Sequence, residues 1–502
     1  MSIFLFGINT LVIRLLSKLF KGQSSTLLWF MGAILVGRVT GLIREILLGN
    51  LFGATRAADL IITALTIPDA LVNVFLVSGF SAVLVPYLLA QPLKRRSREF
   101  WRVALTLVMI SIFISFCLLW ITESVMSIFA PGLIPFQNAE ISIFRFVLGS
   151  LPLTIASGLL VAWLMSRNSF VFGGLGTAII NIAVISGLLI GYIAGDALVW
   201  TVIGLVLGLL VRLLVNLFAS EKNQLEFGFH GLSCDIQLGK TLILAAMAMS
   251  ALTLAPLLFR AIVSIEGEGA LTLFSMSLKL IELPLTVVFW SIGFVALPEL
   301  SALYGQSAQL ATDRLEDSLI KAGKIGIAVF LCVAGLADHW VELIYGWGAF
   351  TLPQLELMSN AVSIGAVGFP LMGLTTVLLN DHFALKRYRA VFLIVIASLL
   401  MVGVSAWIGI FDRSIQVMFM CWVTLYGFIG LSLWVSRAIA GLPMIKLQPS
   451  LLYWGVIYLV SVYFVLEALA DSLLGTIGAD VLCITCAGVV AWIAIVKTES
   501  RI

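Results

Sequence analysis

Charge is what this sequence lacks. Only 11% of its 502 residues are Asp, Glu, Lys or Arg, against roughly 25% in an ordinary soluble domain. With 61% hydrophobic residues and a mean hydropathy of +1.14, the chain has too little polar surface to cover its apolar groups, which excludes a water-soluble globule. Long polar stretches are missing too, because apolar runs of roughly 20 residues, each able to cross a ~30 Å hydrocarbon core as a helix, follow one another along the chain. No room is left for an extramembrane catalytic domain. The chain has only three histidines. Asp338-His339 and Asp381-His382 fall at expected helix ends as solvated pairs, with no further metal ligand at helical spacing. No Ser/His/Asp constellation, paired-carboxylate site or phosphate-binding glycine loop stands out, so an enzyme is not expected and neither catalytic residue, metal nor cofactor is assigned. The six cysteines mostly fall inside apolar runs, and the sole CxxC, Cys483 to Cys486, sits within the last run, which argues against a redox role. A net charge of +3 with dispersed cations leaves no footprint for a nucleic acid.

What is present is an all-α polytopic membrane protein. Apolar runs and polar breaks predict fourteen transmembrane helices near 26–50, 58–90, 100–127, 142–166, 173–194, 197–219, 240–264, 269–300, 318–344, 355–380, 389–411, 414–436, 450–468 and 473–496. Residues 1–24 form an interfacial lead-in, since positive charge follows the apolar stretch where a secretory signal needs it to precede. An even span count puts both termini on one side. The loops on that side collect 21 of the 29 cations, Lys94, Arg95, Arg96, Arg98, Arg102, Lys386, Arg387, Arg389 and Arg437 among them, while the other side holds only Arg56, Arg260 and Arg413. Both termini are therefore expected in the cytoplasm, with loops 91–99 and 381–389 inside and 128–141 and 345–354 outside. Arg145 and Arg212 lie near span boundaries and are read as snorkelling anchors.

Charges deep in the spans need another explanation. Arg38 lies ~18 Å into the first span, where a lipid-facing guanidinium costs at least ~2.5 kcal/mol. It must face protein or water. Glu45 shares its face two turns on, and Arg44 is rotated from it by ~120°. Lys279 is near the middle of the eighth span with Glu282 one turn away, so the two form either a neutralised bridge or part of a site. Asp59 opens the second span at its outer end, a position typical of an interfacial residue or N-cap. Cations at depth with acids toward the outer ends describe a cavity that attracts an anion such as a diphosphate, and Glu282 is the only close candidate for the midplane carboxylate that a cation carrier needs. Pro68 with Phe80 to Pro86 in span two is echoed by Pro284 with Phe294 to Pro298 in span eight. An offset of six helices preserves direction, as in parallel repeats, so spans 1–6 and 7–12 are expected as two lobes.

At these residues the sequence resembles the MurJ/MviN family of lipid II flippases, within the multidrug/oligosaccharidyl-lipid/polysaccharide exporter superfamily. The likeness is carried by Gly37-Arg38-Val39-Thr40-Gly41, Arg44-Glu45, Phe52-Gly53-Ala54, Ala58-Asp59, Ile67-Pro68 and Gly79-Phe80-Ser81. It continues in Arg167-Asn168-Ser169-Phe170, in Lys279 through Glu282-Leu283-Pro284 to Leu297-Pro298, and in Tyr345-Gly346. The resemblance implies two six-helix lobes, 25–222 and 223–439, around a cationic cavity, with a C-terminal helix pair in 440–502 forming a groove for a lipid tail. It implies substrate-binding roles for Arg38, Arg44 and Lys279, and gating or supporting roles for Glu45, Asp59 and Glu282. Lys279 stands where the family has an arginine, keeping the charge and losing the planar fork. Val72, Asn73 and Val77 replace an arginine pair and an acid, and the seventh span lacks the acid of a sodium site found in some relatives. The implied function is translocation of a polyprenyl-diphosphate saccharide across a bacterial inner membrane, with the lipid-linked glycan and the bilayer as partners and cell-wall synthesis machinery as a further one. A flippase for another lipid-linked polysaccharide precursor and a drug or cation antiporter of the same superfamily stay as alternatives.

Overall fold

A computed structural model of the chain describes residues 25–71, 83–167, 169, 171–226, 251–408, 412–443, 445, 458 and 462. Among these every regular element is helical. In chain order they are α1 (Ser25–Phe52), α2 (Arg56–Leu71), α3 (Val85–Ala90), α4 (Leu93–Trp120), α5 (Thr122–Phe129), α6 (Asn138–Gly149), α7 (Leu151–Ser166), α8 (Val171–Ala194) and α9 (Ala197–Lys222). The second half continues with α10 (Leu254–Ser264), α11 (Ala270–Pro284), α12 (Trp290–Tyr304), α13 (Ala308–Gly335), α14 (Ala337–Tyr345), α15 (Leu352–Val367), α16 (Phe369–Ala384), α17 (Tyr388–Trp407) and α18 (Ile415–Ile439).

The first twelve expected spans overlap these helices, with 72–82 of the second and 240–250 of the seventh outside the described residues, as are the last two, with Cys483 and Cys486, apart from residues 458 and 462. Among the described residues eight helices are long and apolar enough to cross a membrane, and α15 with α16, bent by 45°, makes a ninth if counted as one span. The breaks that periodicity could not place have local causes. Pro284 lacks an N–H and is followed by a π-helical turn, Leu285–Phe289, before α12 resumes. Loop 91–99 shrinks to a turn, because Pro92 caps α4 and the helix starts at Leu93.

In lipid, tight packing and satisfied polar groups hold helices together, since burying apolar surface from acyl chains gains little. Glycines supply the close approach where α8 meets α9: a Cβ at Gly187 would stand 2.4 Å from the Trp200 carbonyl oxygen, and one at Gly204 2.5 Å from that of Ala183. Phe274 and Phe419, with ring centroids 4.9 Å apart, anchor the core of the second half. A second cluster of Leu84, Leu88, Phe100, Trp163 and Leu225 ties the ends of α3, α4, α7 and α9.

Four residues depart from their sequence expectation. Asp381 and His382 are fully buried where a solvated pair was expected. Asp381 accepts from Arg437 Nη1 at 2.7 Å and Tyr304 Oη at 2.5 Å, and Arg437 Nη2 donates to Thr312 Oγ1 at 2.5 Å. Arg437 is thus a buried tie among α12, α13, α16 and α18 and not a loop cation. Removing one partner of such a pair leaves an uncompensated charge and costs about 3–5 kcal/mol. Asp381→Asn and Arg437→Leu are each expected to lower the thermal unfolding midpoint of the detergent-purified protein and its abundance in the membrane. Unchanged midpoints would refute this role. Arg212 is likewise 4% exposed, ~22 Å along α9, with Nε and Nη1 lacking a hydrogen-bond partner, so it is an interior cation and not a snorkelling anchor. Arg145 is exposed, as an anchor should be.

Candidate functional site

The two halves of the chain are joined at the end of the bundle where α1 gives way to α2. Asp59, 0% exposed in the first turn of α2, accepts from Gly269 N at 2.7 Å, Thr272 N at 2.8 Å and Thr272 Oγ1 at 2.6 Å. A carboxylate from one half thereby caps the N-terminus of α11 in the other, satisfying orphan donors at the positive end of that helix. Around it, Asn50 Nδ2 donates to Ile344 O at 2.9 Å, Ala349 N donates to Asn50 O at 2.9 Å, and Arg56 N donates to Glu268 Oε1 at 2.9 Å. Arg56 also pairs with Glu140, whose other contact closes the capping box of α6. Segments 128–141 and 345–354, expected on one side of the membrane, meet here together.

Below this joined end lies a group of charges on α1, α2, α10 and α11. Arg44 and Lys279 lie ~12 Å and ~14 Å from it along their helices, at about 1.5 Å per residue. Arg44, 6% exposed, donates to Glu45 Oε1 at 2.6 Å, Asn181 Oδ1 at 3.0 Å and Asp69 Oδ2 at 3.4 Å. Adjacent residues on a helix normally diverge, yet Arg44 meets Glu45, a contact between neighbours that long side chains make possible. Lys279 Nζ pairs with Glu282 Oε2 at 3.0 Å, and both side chains are about a quarter exposed (27% and 25%), so this bridge opens onto a reachable space. Glu282 is within electrostatic reach of Lys279, Arg260 and Arg38, and Glu45 of Arg44, Lys279 and Arg260. Arg38 is exposed and Asp69 about half exposed, which makes this space a cleft.

All six residues expected from the sequence thus fall into one region, five in the cleft and Asp59 in the cap over it. The structure adds Arg260, which donates to Thr66 Oγ1 at 3.3 Å, and Asp69, Asn181 and Arg212, the last within electrostatic reach of Asp69. Glu282 is not alone among acids at depth: Glu45 and Asp69 join it, each engaged by Arg44. Asp69 had a signal in the sequence, since thirteen residues after Arg56 places it ~20 Å into its span. Arg260 had a misleading one, its Cα being near the outer end while its side chain reaches inward. Asn181, a single amide in an apolar run, had none. Positions 72, 73 and 77, where Val, Asn and Val stand in place of the expected arginine pair and acid, lie outside the described residues.

A bundle of apolar helices long enough to cross a membrane, whose halves meet at one end over a cleft of mixed charge, defines a polytopic membrane protein. The solved structure "Lipid II flippase MurJ, inward closed conformation" superposes with a TM-score of 0.72 at 16% identity, covering 94% of this chain and 99% of that one. An inward-facing multidrug resistance MATE transporter superposes at 0.63 with 14% identity, covering 86% and 98%. Within that class the chain belongs to the MurJ family, whose model, described as "Lipid II flippase MurJ", matches residues 48–494. Relatives named "Probable lipid II flippase MurJ" include one from Rickettsia prowazekii, 22% identical over 360 residues and covering 70% of this chain and 71% of that one. Another, from Thermotoga maritima, is 23% identical over 357 residues, covering 71% and 73%.

Proposed function

We propose that this protein carries a polyprenyl-diphosphate-linked saccharide, and specifically lipid II, from the inner to the outer leaflet of a bacterial inner membrane by alternating access. The observation that carries this is the cleft itself: Arg38, Arg44, Arg260 and Lys279 converge at membrane depth beneath an end held shut by a buried carboxylate. In this reading Arg38 and Lys279 hold the diphosphate, Arg44 keeps the cleft in shape through Glu45, Asp69 and Asn181, and Glu282 tunes Lys279. The joined end is the outer gate, with Asp59 as its latch. Fourteen helices, in lobes 25–222 and 223–439 plus a pair in 440–502 for the lipid tail, and two cytoplasmic termini complete the arrangement, supported by the cation asymmetry of the loops. The likeness to lipid II flippases supports the substrate. Drug or cation antiport gains less support, because each cleft carboxylate is already engaged by a cation.

Depleting the protein and identifying by mass spectrometry the lipid-linked intermediate that builds up on the inner leaflet tests this directly. Lipid II is expected to accumulate several-fold. Accumulation of a different lipid-linked glycan would move the chain to that substrate, and no accumulation would sink the flippase assignment.

A further inference from the structure

At the end of the helices opposite the joined end, where the N-terminus of α4 meets the C-termini of α3, α7 and α9, a cavity of about 340 Å³ opens outside the central cleft. Arg96, Arg167, Lys222, Ser166, Asn223 and Gln224 line it, and neither Asp nor Glu is among its lining residues. Arg96 is only 9% exposed. Its Nη2 donates to the Leu89 and Gln91 carbonyls at 3.3 and 3.4 Å, and its Nε has no hydrogen-bond partner. Arg167 donates from Nε to Asn223 O at 3.2 Å and from Nη2 to Gln224 Oε1, and its guanidinium stands 5.9 Å over the Trp163 ring. The chain leaving α9 is pinned against α4, since Ser97 Oγ donates to Glu226 O at 2.8 Å and Trp101 Nε1 to the same oxygen at 2.9 Å.

A bland account would have these cations cap helix C-termini and nothing more, and for Arg167 part of that is visible. It does not account for three cations around one open cavity with no acid among its described lining residues, nor for a buried guanidinium keeping an unused donor. The location supplies the missing charge. α4 becomes a continuous apolar run after Arg102, so the cavity sits where the helix enters the membrane, at the depth of the lipid phosphates, with Arg95 and Arg98 exposed beside it. A phosphate oxyanion matches two guanidinium groups and an ammonium in both charge and hydrogen-bond geometry.

We propose that this cavity is a binding site for the phosphate of an anionic phospholipid headgroup, separate from the transport cleft. Which leaflet supplies it rests on the orientation proposed above; the site itself does not. The full-length protein in detergent is titrated with phosphatidylglycerol, with phosphatidylcholine and with inorganic phosphate, and retained adducts are read by native mass spectrometry. Phosphatidylglycerol is expected to be retained about tenfold better than phosphatidylcholine, and Arg96→Gln with Arg167→Gln is expected to erase that preference. Lys222→Gln, at an exposed helix end, should cut it two- to threefold without touching the fold, whereas Arg145→Gln, an exposed cation elsewhere, should leave it unchanged. Equal retention by wild type and a folded Lys222→Gln variant would overturn the proposal. So would retention of inorganic phosphate with no phosphatidylglycerol preference, which would assign the site to a soluble anion.

Discussion

Lys279→Gln and Arg38→Gln are each expected to abolish translocation in protein that folds, inserts and reaches normal abundance, while Lys279→Arg retains it. Transport is read as precursor reaching the outer leaflet. Both cations lie in the cleft, and Arg restores a planar fork suited to a diphosphate while keeping the charge. The 3.0 Å contact of Lys279 with Glu282 raises the competing explanation that the lysine merely neutralises a buried acid. Removing both partners decides between them. A structural bridge is often dispensable when both charges go, whereas a substrate cation is not. Lys279→Gln with Glu282→Gln is therefore expected to stay inactive, and recovery of transport in that double variant would remove Lys279 from the substrate site.

The second large effect is expected at the gate. Asp59→Asn keeps the side chain's size but replaces a charged acceptor of three hydrogen bonds by an amide that presents two donors of its own. A hydrogen bond to a charged group contributes about 1.5–3 kcal/mol, so losing even one shifts the balance of closed and open states roughly ten- to a hundred-fold. Thr66 lies just beneath the cap, against Arg260. In a chain lacking its native cysteines, Thr66→Cys should react slowly with a membrane-impermeant thiol reagent added outside cells, and at least tenfold faster when Asp59→Asn is also present. Equal rates would show that Asp59 does not hold the gate. Faster labelling from the cytoplasmic face alone would reverse the orientation.

Much of this was legible in the sequence because a membrane forces polar groups to declare themselves. Arg38, Lys279 and Glu282 stand out since lipid gives a charge no cheap place to be, and helical runs are long enough to mark themselves by length alone. What the sequence could not convey was which helix faces which. Asp59 reads as an ordinary N-cap of its own helix, and only the packing of α2 against α11 makes it the cap of another. Arg212 and Asp381 sit a few residues from expected boundaries, where snorkelling to water and burial in protein leave the same pattern. Arg260, near the end of its expected span, was not legible as a cleft residue for the related reason that a side chain's reach is comparable to the uncertainty in a span's end.

The joined end is built where side chains meet main chain. Backbone atoms of Asn50, Arg56, Gly269, Thr272, Ile344 and Ala349 take part in its hydrogen bonds, and a Cβ on Gly348 would fall 2.3 Å from the Asn50 Cα. Apart from the bond between Ala349 N and Asn50 O, each of these hydrogen bonds also needs one side chain, that of Asp59, Asn50 or Glu268, so a few named side chains hold this end by reading fixed main-chain positions. The cleft beneath is made almost entirely of side-chain charge. Closure at this end and charge in the cleft therefore rest on different residues, so a substitution among the cleft charges can change what is held there while leaving the bonds that shut the end in place.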